Sequence, residues 1–193
     1  MSEIKAMNNT DYLKYYHLEK YLFDDVCKRF QTLGYITAFD FFCIVIWKAN
    51  RSKSKIANRL LDKKLGHENL NSAVKALTGA IFKAKSSKQR FEIIIKTWRF
   101  RLPMASAILT VLYPDEFTVY DVRVCEMLQA FKDVQHKSHF DDVWCGYEKY
   151  VQAVKHEAIE QATLRDKDRW LWGKSFASQL EADIANKFCK YGH

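Results

Sequence analysis

Apolar residues return at helical spacing along most of this chain. Between residues 12 and 33, Leu18, Leu22, Val26 and Phe30 recur every fourth position with Phe23 beside them, which predicts a helix or a broken pair of helices stopped by Gly34. Thr37 is placed to cap the next helix, with Asp40 three residues on as a capping-box acid. That helix, residues 38–48, is apolar nearly all round and belongs in the middle of the fold. Residues 52–65 and 69–84 read as two more helices, the second with Val74, Leu77 and Ile81 spaced at three and four. A polar loop at 83–88 leads to a short helix over 90–97.

The next helix follows from Ala105, Ile108, Leu109 and Leu112, with Pro103 in its first turn, where a missing N–H costs little. It ends at Tyr113-Pro114-Asp115. Asp121 then stands inside an apolar phrase at the mouth of a helix expected to run to Phe131. Residues 140–156, a helix opening at Leu164 with Thr163 as its cap, and an amphipathic helix over about 175–188 complete the chain. The fold class is all-α, as one globular unit over residues 1–193.

Composition supports that class and narrows the chemistry. Six Gly and 2 Pro are too few turn residues for a many-stranded sandwich or barrel, while 48% hydrophobic content suffices for a sizeable core. Cys27, Cys43, Cys125, Cys145 and Cys189 are odd in number and far apart, so they resemble reduced buried thiols rather than a disulfide framework. There is no C-x-x-C pair, and His136 and His139 have no further ligands at metal-binding spacing; no metal and no cofactor are expected. The longest apolar run, residues 41–47, is too short to span a membrane, and the first residues lack a signal-peptide core. A cytoplasmic monomer with no membrane partner is the expectation.

The net charge of +8 is unevenly distributed. Residues 48–101 hold 15 Lys and Arg against 3 Asp and Glu, a balance of +12, and the remainder carries −4. A polyanion partner follows, because Lys and Arg that displace counterions along a phosphate backbone supply strong, salt-sensitive affinity. Trp47-Lys48-Ala49-Asn50-Arg51 turns from apolar to basic within one turn. This is either a helix end whose cations answer the dipole or a nucleic-acid contact point. Arg99 and Arg101 approach the start of the Ala105 helix, an arrangement suited to holding a phosphate. Asp121 reads either as an N-cap or as a carboxylate facing developing positive charge, and both roles are compatible.

Residues 103–109, Pro-Met-Ala-Ser-Ala-Ile-Leu, through residues 117–124, Phe-Thr-Val-Tyr-Asp-Val-Arg-Val, resemble the helix-hairpin-helix DNA glycosylase superfamily, the endonuclease III-like fold. In that family an L-P-G-V-G-x-K-T-A hairpin precedes an apolar helix and a V-D-T-H-V phrase. Placing Ala105 on the family's alanine puts Asp121 on its catalytic aspartate without a gap. Residues 39–51 are similar to the family's buried helix ending in I-L-S-x-Q-x-T, with Asn50 near the glutamine that fills the space left by a flipped nucleotide. The hairpin glycines are replaced by Arg99-Phe100-Arg101, the Schiff-base lysine of bifunctional members falls at Pro103, and the cluster-binding cysteines are absent.

The resemblance implies a two-lobed helical fold with a degenerate hairpin. One lobe would be formed by about residues 37–128 and the other by the N- and C-terminal helices together. It implies a monofunctional DNA glycosylase acting on double-stranded DNA, with no lyase step through the family's lysine. Asp121 would be catalytic, Lys48, Asn50, Arg51, Arg99, Arg101 and Arg123 would bind DNA, and Trp47, Tyr120, Trp170 and Trp172 are candidates for the base pocket. The base is left open, with alkylated bases and hypermodified bases of viral DNA as candidates, and so is a role in repair or phage defence. The rival readings are a DNA-binding module of the same fold without chemistry and a helical domain whose basic face meets an acidic protein.

Overall fold

Helical spacing becomes helix wherever regular structure forms in the computed structural model, which describes residues 12–157 and 163–188; no strand occurs among them. The N-terminal segment is broken. Helices α1 (Leu13–Tyr16) and α2 (Leu18–Tyr21) part at His17, and α2 passes through a π-helical turn, Leu22–Val26, into α3 (Cys27–Leu33). Leu22, Val26 and Phe30 are fully buried, each such side chain contributing about 1.5–3 kcal/mol of transfer free energy. Gly34 ends α3 in the left-handed region at φ 76°, and a Cβ there would come within 3.0 Å of the Phe82 ring.

Helix α4 (Ala38–Ala49) starts as expected, with Thr37 Oγ1 accepting the Asp40 N–H at 3.2 Å. The Asp40 carboxylate takes the Thr37 hydroxyl rather than making the reciprocal capping-box bond to the Thr37 N–H. Asp40 is buried, and its carboxylate accepts from Tyr21 Oη at 2.6 Å, Thr37 Oγ1 at 3.0 Å and Arg29 Nη2 at 3.3 Å. Phe39 and Ile46 remain exposed, so α4 is not sheathed on every side.

Helices α5 (Lys53–Leu60), α6 (Leu70–Lys83) and α7 (Ser87–Glu92) follow, α6 opened by a reciprocal Asn69–Ser72 capping box. The chain leaves α7 through a second π-helical turn, Ile93–Thr97, and enters α8 (Leu102–Leu112), which is buried at every position except Pro103. Helices α4 and α8 pack together at the centre, with α6 and α5 against α4 and α3 and α7 against α8. Helix α9 (Val122–Met127) is shorter than the sequence suggests, because Gln129 and Phe131 take positive φ and turn the chain away.

Helix α10 (Phe140–His156) has the expected bounds, whereas α11 (Leu164–Ala185) is one helix where two were expected. Gly173 lies in open space inside it without breaking it. The anticipated amphipathic face of its second half is not covered: Phe176, Leu180 and Ile184 are exposed. Three contacts fix the path into α9. Ser106 Oγ accepts the Tyr120 N–H at 2.9 Å, Tyr147 Oη donates to the Thr118 carbonyl at 2.7 Å, and Tyr150 Oη donates to the Val119 carbonyl at 2.8 Å. This extended segment delivers Asp121 to a defined place. Of the cysteines, Cys43 and Cys125 are buried with thiols pushed up to about 11 mainly by burial, Cys27 is half-buried, Cys145 is exposed against expectation, and Cys189 lies outside the described residues.

A charged cleft at the end of α4

The last turn of α4, the start of α9, one side of α11 and Glu19 of α2 enclose a cleft of about 550 Å³. Asp121 enters it as the N-cap of α9: Oδ1 accepts the Arg123 N–H at 3.0 Å while Oδ2 accepts from Lys48 Nζ at 2.6 Å. Lys48 also reaches the Tyr120 carbonyl at 3.4 Å. Its side chain is 14% exposed and that of Asp121 22%, so the pair is sheltered yet open on one side. Capping and a chemical role therefore fit one geometry, because the cap uses one oxygen and leaves the other facing Lys48 and the cleft.

The opposite wall belongs to α11. Arg165 donates to Asp168 and, at 2.8 Å, to Glu19, and its guanidinium lies 5.1 Å from the rings of both Phe23 and Trp47. Arg169 reaches Glu19 at 3.3 Å. Asp168 is only 2% exposed, and burial raises its carboxyl to about 6 although Arg165 and the Val119 N–H pull the other way. Cations and acids thus alternate around the cleft, between the indoles of Trp47 and Trp172.

Five of the expected residues, Trp47, Lys48, Asp121, Arg123 and Trp172, line the cleft. Arg123 is engaged: Nη1 donates to Gln179 Oε1 at 2.7 Å, and the guanidinium lies over the stacked Trp172 and Phe176 rings. Two of the expected pocket aromatics are corrected. Tyr120 is core, 1% exposed, with its hydroxyl donating to the Phe131 carbonyl at 2.6 Å, because residue 120 points to the interior where 119 and 121 face the cleft. Trp170 is on another face of α11, beside Lys174, and does not line the cleft.

Asn50 and Arg51 form an exposed 3-10 turn after α4. Arg99 and Arg101 are exposed in the loop before α8, whose Arg99 carbonyl accepts from Arg59. Arg99 adopts φ 54°, and the neighbouring Phe100 is buried.

Glu19, Arg165, Asp168 and Arg169 were not anticipated. The available signal was Asp168 itself, an acid within the stripe Leu164, Asp168, Leu171 and Ser175 that α11 buries. His136 and His139 are both exposed, and no group of three potential metal-binding side chains occurs among the described residues. Nor is any described helix long and apolar enough to cross a membrane. Comparison with known proteins yields no relative: no family model, no curated protein and no solved structure matches the chain.

Proposed function

We propose that this protein is a DNA glycosylase that hydrolyses the N-glycosidic bond of a damaged or modified base in double-stranded DNA. The observation that carries the reading is the carboxylate of Asp121, fixed by the cap of α9 and presented to a sheltered cleft with Trp47 and Trp172 in its walls. Base loss leaves positive charge on the sugar, and a carboxylate held in position stabilises that charge and orients the attacking water. Indole faces suit an extruded base, whose unstacking costs a few kcal/mol.

Two further features support the reading. The loop before α8 takes the left-handed backbone at Arg99, the position where the resembled hairpin has glycine, and buries Phe100 where it has valine. The basic balance of residues 48–101 supplies the phosphate affinity, through exposed groups such as Arg51, Arg99 and Arg101. In this reading the two lobes meet where α4, α9 and α11 enclose the cleft. Asn50, exposed directly beyond α4, is the side chain offered to the gap in the duplex.

A second reading rests on Lys48. An ammonium 2.6 Å from the only carboxylate that caps α9 neutralises it, as would suit a DNA-binding module without chemistry. The two are separated by incubating duplexes that carry a panel of alkylated, oxidised and hypermodified bases with the wild type and with Asp121→Asn, then revealing abasic sites by alkali. Base release by the wild type that the variant lacks supports the enzyme. Salt-sensitive binding by both proteins with no base released from any duplex supports the module.

A further inference from the structure

Helix α11 packs on the rest of the fold through Leu164, Asp168, Leu171 and Ser175. At about 100° per residue, the side opposite that stripe carries Gly173, Ala177, Leu180 and Ile184, spaced at four, three and four. This is the spacing of a face that meets another helix, yet every residue from 176 to 182 is exposed and Ile184 is 57% exposed. Gly173 is the harder residue to account for within one chain. Glycine inside a helix is less stable than alanine, and a Cβ at this position would meet nothing within 4 Å. The fold does not require it, whereas the close approach of a second helix backbone would.

We propose that this face is a dimer interface, in which α11 pairs antiparallel with α11 of a second copy of the chain about a two-fold axis. It replaces the expectation of a monomer and is independent of the glycosylase reading. Shape is the first reason for choosing a second copy. When the axis passes between residues 178 and 179, Leu180 lies over Ala177 of the second copy and Ile184 over its Gly173, because both pairs are equidistant from the axis. By symmetry the same contacts repeat in the other direction, so large side chains of each helix fall on small ones of its mate.

Charge is the second reason. Lys174 and Glu181 lie on one flank of the face, and in this register each Lys174 comes within about one helical turn of Glu181 of the second copy. Within its own chain the Lys174 ammonium only overlies the Trp170 ring, at 4.8 Å. The apolar face offers roughly 400 Å² per copy, below the about 800 Å² per partner of a standard interface, so the dimer is weak, with a Kd on the order of 10 to 100 µM. The cleft residues of α11, Arg165, Asp168 and Arg169, precede this face, so the pairing sets the two clefts roughly 30 Å apart along the helix axis.

The test is sedimentation equilibrium of the full chain without DNA, from about 1 to about 300 µM, a range that brackets the expected Kd. Monomer at the low end and dimer at the high end are expected. Gly173→Leu keeps a good helix former and enters open space in the monomer, so it should raise Kd at least about tenfold with no fall in the urea midpoint. Leu180→Lys, at an exposed position, should do the same. Lys174→Glu should weaken the dimer, and adding Glu181→Lys to it should restore the affinity. A wild type that stays monomeric at every concentration overturns the inference and leaves the face to a different partner. A dimer undiminished by Gly173→Leu and Leu180→Lys also overturns it, since the copies would then meet elsewhere. Failure of the double charge exchange to rescue the single variant overturns the antiparallel register.

Discussion

At its N-terminal end α4 is held by Asp40 and at its C-terminal end it presents Lys48 to Asp121, so each end closes on a carboxylate that also belongs to a helix start. The carboxylates differ in what remains to be bonded. Asp40 is surrounded by Tyr21, Thr37 and Arg29 and is cut off from solvent. Asp121 has the Arg123 N–H on one oxygen and Lys48 on the other, and it faces an open cleft. A carboxylate saturated by protein donors stabilises the structure, whereas one with an accessible side and a single cationic partner is available to a substrate. Sequence spacing alone distinguishes them poorly, because both read as helix-capping acids.

The largest expected effect separates the two ends. Asp121→Asn should lower base release by about 100- to 1000-fold, the usual range for loss of one preorganised electrostatic group, while the cap survives in the amide and unfolding free energy falls by no more than about 2 kcal/mol. Asp40→Asn should do the reverse. It leaves Arg29 facing a neutral partner and is expected to destabilise by about 3 kcal/mol in urea unfolding, with base release retained wherever the protein is folded. Equal stability losses in the two variants would break the contrast.

The α11 wall sharpens it next. Asp168 has its carboxyl raised from 3.8 to about 6 by burial, so the folded state binds its proton more tightly than the unfolded chain does. Its contribution to stability is gained as pH falls from about 6 towards 4 and lost as pH rises through the same window. Urea midpoints of the wild type and Asp168→Asn, compared between pH 4 and 7, should therefore diverge in favour of the wild type at the acid end, by about 3 kcal/mol at most. A pH-independent difference would mean that Asp168 stays charged in the fold.

The smallest effect lies in the loop before α8. Arg99→Gly removes a left-handed non-glycine residue, and after the entropy of glycine is counted it should stabilise the fold by up to about 1 kcal/mol. If this arginine meets a phosphate, the same change should reduce the salt dependence of DNA binding by about one counterion. Unchanged salt dependence would move the basic contact elsewhere in residues 48–101.

Much of the helix pattern was legible because burial follows spacing: Leu22, Val26 and Phe30, or Ala105, Ile108 and Leu109, are internal as their periodicity requires. The Thr37 and Thr163 caps were legible for the same local reason, since the cap residue and its N–H partner lie three positions apart. What failed were features settled by distant contacts. Tyr120 and Trp172 are both aromatic residues near an acid, but the Ser106 hydroxyl and the Tyr147 and Tyr150 phenols decide which face of the 117–121 segment meets the cleft. The pairing of Lys48 with Asp121 spans 73 positions, and that of Arg165 with Glu19 spans 146, so no local pattern announces either. The helix end after Met127 depends on backbone turns at Gln129 and Phe131 that neither residue type predicts.

The central claim, that the accessible carboxylate at the C-terminal end of α4 performs chemistry, is tested most directly by the single-turnover rate of abasic-site formation in a modified-base duplex, with enzyme in excess, for the wild type and Asp121→Asn. The account predicts base release by the wild type on at least one duplex and a rate about 100- to 1000-fold lower in the variant, with both proteins binding that duplex at similar salt dependence. Equal rates in the two proteins, or binding without release on every duplex, would contradict it.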